Sequence, residues 1–211
     1  MASDYLAQPD APAPGVLVVH DWYGLLPHVQ DQCDQLAEAG FLALAPDLYD
    51  GASTTDPSEA ERLLGALDAT RARERLAAAA DRLRERAAPA RVGAIGYSMG
   101  GSLALLLAAA GGLDAVVGYY AALEQDELAP IDCPVLLQLA AVDEWEPPDQ
   151  PERFAAWLRD KGTVVEVRTW PDTEHSFANA DVALYAPDQA AEAWSLTLEF
   201  LRRHLVPTVA A

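Results

Sequence analysis

The chain has 211 residues, 51% of them hydrophobic, enough to fill the core of one domain. A net charge of −19 argues against nucleic acid and anionic membrane surfaces as partners. No stretch reaches the ~18 apolar residues of a membrane span, and residues 1–14 lack the basic and apolar regions of a secretion signal, so a cytoplasmic protein is expected.

In chain order, residues 1–14 are rich in Pro and Ala and read as a loose arm. Val16–His20 is an apolar, β-branched run expected as a buried strand, ending in the turn Asp21-Trp22-Tyr23-Gly24. Pro27 suits a helix start, and Val29, Cys33, Leu36 and Ala37 recur at helical spacing up to Gly40. Phe41–Ala45 is a second strand, stopped by Pro46-Asp47 and followed by a loop through Thr55. Pro57–Leu67 and Arg71–Arg86 read as helices, the arginines of the second forming a solvated face opposite Leu76, Ala79, Ala80 and Leu83. Cys33 and Cys133 lie far apart and are expected as free, buried thiols.

Val92–Gly101 reads V-G-A-I-G-Y-S-M-G-G, a short apolar run followed by G-x-S-x-G and a breaker-free helical stretch through Ala110. A serine on a strand-to-helix turn with glycines two before and two after fits a nucleophile elbow, where any Cβ at those flanking positions would collide. The helix beyond offers free N–H groups to a developing oxyanion. A dinucleotide loop is the rival reading of G-Y-S-M-G-G. Ser98 then stands where the middle glycine would have to admit a pyrophosphate.

Asp114–Tyr120 and Val135–Leu139 are further strands, the second running out through Ala140, Ala141 and Val142 to Asp143. Pro151–Asp160 is helical, Val164–Trp170 alternates as a strand, and a loop then carries Asp172, Glu174 and His175. A last helix runs from Pro187 to Leu205, before a short tail at 207–211. Strands alternating with helices imply a mainly parallel sheet covered on both faces, in one domain spanning 1–211.

A serine hydroxyl needs a base, and of the four histidines only His175 sits on a loop after a late strand. Asp143 follows the carboxyl end of an earlier strand, with Glu144 and Asp132 as alternates, giving the order Ser98, Asp143, His175 expected of an α/β-hydrolase. His175 would take the Ser98 proton, and Asp143 would fix its tautomer. The backbone N–H groups of Met99 and Trp22 are the expected oxyanion donors, with no metal or organic cofactor required. Asp21, Tyr23, Tyr120, Trp145 and Phe177 are candidate pocket residues beside these motifs.

These pieces together resemble the dienelactone hydrolase family of small α/β-hydrolases. H-D-W-Y-G-L, G-F-L-A-L-A-P-D-L-Y, G-Y-S-M-G-G, A-V-V-G-Y-Y, the Asp143 strand end and E-H-S-F-A occur in that family's order over about residues 15–205. The resemblance implies hydrolysis of a small carboxylic ester or lactone through an acyl-enzyme. It also implies a cysteine nucleophile where this chain has Ser98, and a glutamate where it has Asp21. Family members hold their substrate's carboxylate with two arginines. One position here is Asn179, and the other, in the helix near Pro57–Arg62, carries no arginine. An uncharged ester is therefore the expected substrate. A non-catalytic, hydrolase-like binding protein is the alternative, and would leave the Ser98 hydroxyl without a histidine in reach.

Overall fold

A computed structural model describes residues 4–87, 90–124, 129–147 and 149–206. Seven strands form one sheet: β1 (Tyr5–Ala7), β2 (Gly15–Val19), β3 (Leu42–Ala45), β4 (Val92–Tyr97), β5 (Ala115–Tyr119), β6 (Val135–Val142) and β7 (Val165–Glu174). Their spatial order is β1-β3-β2-β4-β5-β6-β7, parallel throughout except for β1. The helices are α1 (Pro27–Glu38), α2 (Pro57–Ala66), α3 (Ala69–Ala87), α4 (Met99–Ala109), α5 (Gln150–Asp160) and α6 (Pro187–Leu205). This is an α/β-hydrolase fold.

The central strands are apolar without interruption because both faces are covered. Along β2, Leu17 and Val19 enter one core with Leu76 and Leu83 of α3, Leu103 of α4 and Phe154 of α5. Val16 and Val18 point the other way, toward Val29 and Leu36 of α1 and Phe200 and Leu201 of α6. Each such Leu, Val or Phe removed from water contributes about 1.5–3 kcal/mol. Cys33 and Cys133 are both buried free thiols, and burial pushes each up to about 12.

Two expectations are corrected. The arm over residues 1–14 is not loose along its length: Tyr5–Ala7 pairs antiparallel with Ala43–Ala45. Asp4 anchors that strand by ion pairs to Arg75 and Arg82 of α3, and the Tyr5 hydroxyl donates to Asp34 of α1. The composition of the arm hid a three-residue edge strand whose partners lie far along the chain. The last strand also outruns its expected end at Trp170, pairing through to Val142↔Glu174 across a bulge at Ala140/Val142. Pro171 does not stop it because it falls in the irregular stretch between the paired residues Trp170 and Glu174, and bulges on edge strands tolerate proline. Among the described residues no helix is long and apolar enough to cross a membrane.

Candidate active site

Ser98 stands between the end of β4 and the first turn of α4, with φ of 50° and ψ of −119°. A non-glycine residue held at positive φ marks local strain, sustained here by its surroundings. Its neighbours explain why glycines flank it. A Cβ at Gly96 would strike the Gly100 carbonyl, and one at Gly100 would strike the carbonyls of Val19 and His20. Packing of α4 against β2 and β4 therefore requires a bare backbone at both positions.

The structure brings the three residues singled out in the sequence into one line. His175 Nε2 lies 2.8 Å from Ser98 Oγ, and Nδ1 lies 2.9 Å from both oxygens of Asp143. A carboxylate only accepts, so Nδ1 carries the proton and Nε2 accepts from the serine hydroxyl. His175 is 8% exposed, and the other two are half-buried. Asp143 follows β6 and His175 follows β7, so two adjacent parallel strands deliver carboxylate and imidazole to the same end of the sheet. Asp143 Oδ1 also accepts from Trp145 N at 3.0 Å, which fixes the carboxylate's plane.

The first intrahelical bond of α4 runs from Ser102 N to the Ser98 carbonyl. The N–H groups of Met99, Gly100 and Gly101 thus precede the helical ladder, and that of Met99 adjoins the serine. Trp22, half-buried, occupies the turn after β2. That turn is shaped by Asp21, whose Oδ1 accepts from Tyr23 N at 2.8 Å and whose carbonyl accepts from Gly24 N at 3.3 Å. Asp21 is fully buried, and its second oxygen accepts from Asn179 Nδ2 at 2.8 Å. Burial pushes its carboxyl pKa up, while His28, the Tyr23 N–H, Asn179 and His20 pull it back. Its hydrogen bonds go to Tyr23 and Asn179 and not to Ser98.

The remaining candidates separate by burial. Trp145 is 64% exposed and meets Trp22 edge to face with centroids 4.9 Å apart. Its ring lies 6.2 Å from that of His175. Tyr120 is buried with its ring 4.9 Å from His175, and its backbone, at φ of 38°, is also strained. Phe177 is fully buried among Tyr119, Tyr120 and Trp170, so it backs the histidine loop and does not face open space. Tyr23 packs with Leu26 and Ala60 in a small separate cluster. A cleft of about 410 Å³ opens beside Asp143, lined by Tyr120, Leu139, Glu146, Pro147 and Thr169 among others.

Sequence reasoning missed Glu146 and the partners of Asn179. Glu146 Oε1 accepts from Ala122 N at 3.3 Å, and burial followed by the neighbouring Asp143 holds its carboxyl above the usual range. The signal available was the recurrence of acids in D-E-W-E directly after the strand. Asn179 Oδ1 accepts from Asp181 N at 2.9 Å, and Asp181 Oδ2 accepts from both N–H and Nδ1 of His28 at 2.9 Å. No local pattern announces those pairings.

A sequence model of the dienelactone hydrolase family matches residues 3–205. A putative carboxymethylenebutenolidase of Aquifex aeolicus is 32% identical, over 95% of this chain and 93% of that protein. The carboxymethylenebutenolidase of Pseudomonas putida is 28% identical, over 90% and 86%. Among solved structures, a putative dienelactone hydrolase from Klebsiella pneumoniae superposes with a TM-score of 0.82 at 27% identity, covering 95% of this chain and 92% of that one.

Proposed function

The chain belongs to the dienelactone hydrolase family, and from that premise we propose that it is a serine hydrolase cleaving small, uncharged carboxylic esters or lactones through an acyl-enzyme. The observation that carries this reading is the unbroken run Asp143–His175–Ser98, with contacts of 2.9 and 2.8 Å. A binding protein without chemistry has no use for a histidine aligned on both sides in this way.

The steps follow from that line. His175 Nε2 takes the Ser98 proton as Oγ attacks the ester carbonyl. The carbonyl oxygen becomes an oxyanion, held by the N–H groups of Met99 and Trp22. The imidazolium, steadied by Asp143, returns the proton to the departing alkoxide as the carbon–oxygen bond breaks. Water then attacks the acyl-serine with His175 as base, releasing the acid and restoring Ser98. In a lactone the alcohol and acid remain one molecule.

Two features favour an uncharged substrate. Asn179 stands where the family carries an arginine, and it is buried and committed to Asp21. Arg62 of α2 is exposed and already paired with Glu59, its Nε to Oε2 distance being 2.9 Å. A substrate carboxylate would meet no free cation at either position, in a chain already carrying −19. A fluorophosphonate probe tests the mechanism. The wild type is expected to be labelled at Ser98, and Ser98→Ala to be unlabelled; labelling that survives in Ser98→Ala refutes it.

A further inference from the structure

The Asp21–Asn179 hydrogen bond joins the turn after β2 to the loop after β7. Its two ends belong to the two loops whose relative position catalysis depends on. Met99 N–H is fixed by the first turn of α4, but Trp22 N–H sits on a separate turn after β2. His175 sits on a third segment, after the edge strand. An oxyanion hole works only when both donors lie within a fraction of an ångström of the position where charge develops. Something must therefore hold the Trp22 turn against the histidine loop.

A continuous chain of hydrogen bonds does so. Asp21 and Tyr23 flank Trp22 and are joined through Asp21 Oδ1 and Tyr23 N at 2.8 Å. His20 Nδ1–H donates to the Asp21 carbonyl at 2.6 Å, fixing the Asp21–Trp22 peptide plane that carries the Trp22 N–H. Asp21 Oδ2 accepts from Asn179 Nδ2 at 2.8 Å, and Asn179 N donates to the Ser176 carbonyl at 2.9 Å, one residue beyond His175. Asn179 Oδ1 accepts from Asp181 N, and Asp181 accepts from His28 in the first turn of α1. Asp21 and Asn179 are both fully buried, so these bonds do not compete with water.

We infer that Asn179 and Asp21 are positioning residues that lock the Trp22 oxyanion donor to the His175 loop, acting through Trp22 and not on the substrate. This rests on the serine-hydrolase reading above. Asn179 is therefore not a vacant version of a substrate-binding arginine but half of a clamp.

The donor and acceptor pattern makes the test sharp. Exchanging the pair, Asp21→Asn with Asn179→Asp, keeps every bond. The new amide at 21 accepts from Tyr23 N and donates to the carboxylate at 179, which accepts from Asp181 N. Each single substitution breaks it. Asp21→Asn sets two amide donors face to face, and Asn179→Asp sets two carboxyls together in a buried site.

Hydrolysis of p-nitrophenyl acetate, inhibition by phenylboronic acid and thermal melting are measured for both singles and the double. Each single is expected to lower kcat by about tenfold or more, to leave KM within about twofold, and to weaken boronate inhibition in step with kcat. The double is expected to recover most of both losses. Single variants that fold and keep wild-type kcat and boronate affinity overturn the clamp. So does a double no better than the product of the singles. If a single variant does not fold, the double decides alone: a kcat within about threefold of wild type supports the clamp, and a loss beyond about tenfold overturns it. Fluorophosphonate labelling at Ser98 reports separately on the underlying mechanism, so a failure of the clamp with labelling intact leaves the mechanism standing.

Discussion

The indole rings of Trp22 and Trp145 meet edge to face with centroids 4.9 Å apart, joining the turn after β2 to the loop after β6 across the mouth of the site. Trp145 is 64% exposed yet its backbone N–H is fixed by donation to Asp143 Oδ1. An exposed indole beside the histidine offers an apolar surface to a substrate ring. Such aromatic contacts contribute about 0.5–1.5 kcal/mol beyond area. Trp145→Ala is expected to raise KM for phenyl acetate by roughly 3- to 10-fold while changing KM for ethyl acetate less. Steady-state kinetics on the two esters checks this, and equal effects on both would remove the aromatic preference.

Asp143→Asn tests the carboxylate. An amide in its place can donate to Nδ1, which turns the imidazole to the tautomer that cannot accept the Ser98 proton. A loss of about 10³- to 10⁴-fold in kcat is expected, with KM nearly unchanged. Retention of more than about a tenth of wild-type kcat would show that another acid does the orienting, Glu146 being one whose charge His175 feels.

Acid stability should depend on His20. Burial lowers its pKa from the usual 6.5, and its Nε2 accepts from Leu48 N at 3.1 Å, which requires the neutral ring. The unfolded chain takes up this proton below 6.5 and the folded chain does so only at lower pH. The unfolded state thus binds more protons in that interval, and stability falls as the solution is acidified through it. His20→Gln keeps an acceptor for Leu48 N and should flatten the fall of the melting temperature below pH 6.5. Differential scanning calorimetry across that range decides the matter, and an unchanged slope would assign the acid sensitivity elsewhere.

Gly100→Ala probes the elbow. The added methyl meets the backbone carbonyls of Val19 and His20, which no rotamer change can move aside. Strain of about 1–3 kcal/mol or more is expected, seen as a lower urea midpoint and lost activity. Gly65→Ala, where a Cβ meets nothing within 4 Å, is the matched control and should stabilise slightly within α2.

The sequence displayed what its local patterns encode. β2, β4 and β5 were legible because covering on both faces demands an unbroken apolar run. Ser98 was legible because steric necessity writes glycines at fixed offsets around it. His175 and Asp143 could be chosen because chain order and strand ends constrain them. Asp4 and Tyr5 were not legible, since their partners are Arg75, Arg82 and Asp34, reached only once α1 and α3 have packed. Nor was the Asp21–Asn179 pair, whose members are 158 residues apart and each unremarkable in its own segment.

His175, the proposed base, follows β7, an edge strand whose one partner in the sheet is β6 among the described residues. Ser98 and His175 therefore differ in how deeply they are rooted. Ser98 follows β4, which is paired on both sides, whereas His175 depends on the margin of the sheet. Margins fray first on warming. Turnover should consequently fade some degrees before the far-ultraviolet dichroism of the interior is lost, and cooling should revive it, because only a rim has come undone.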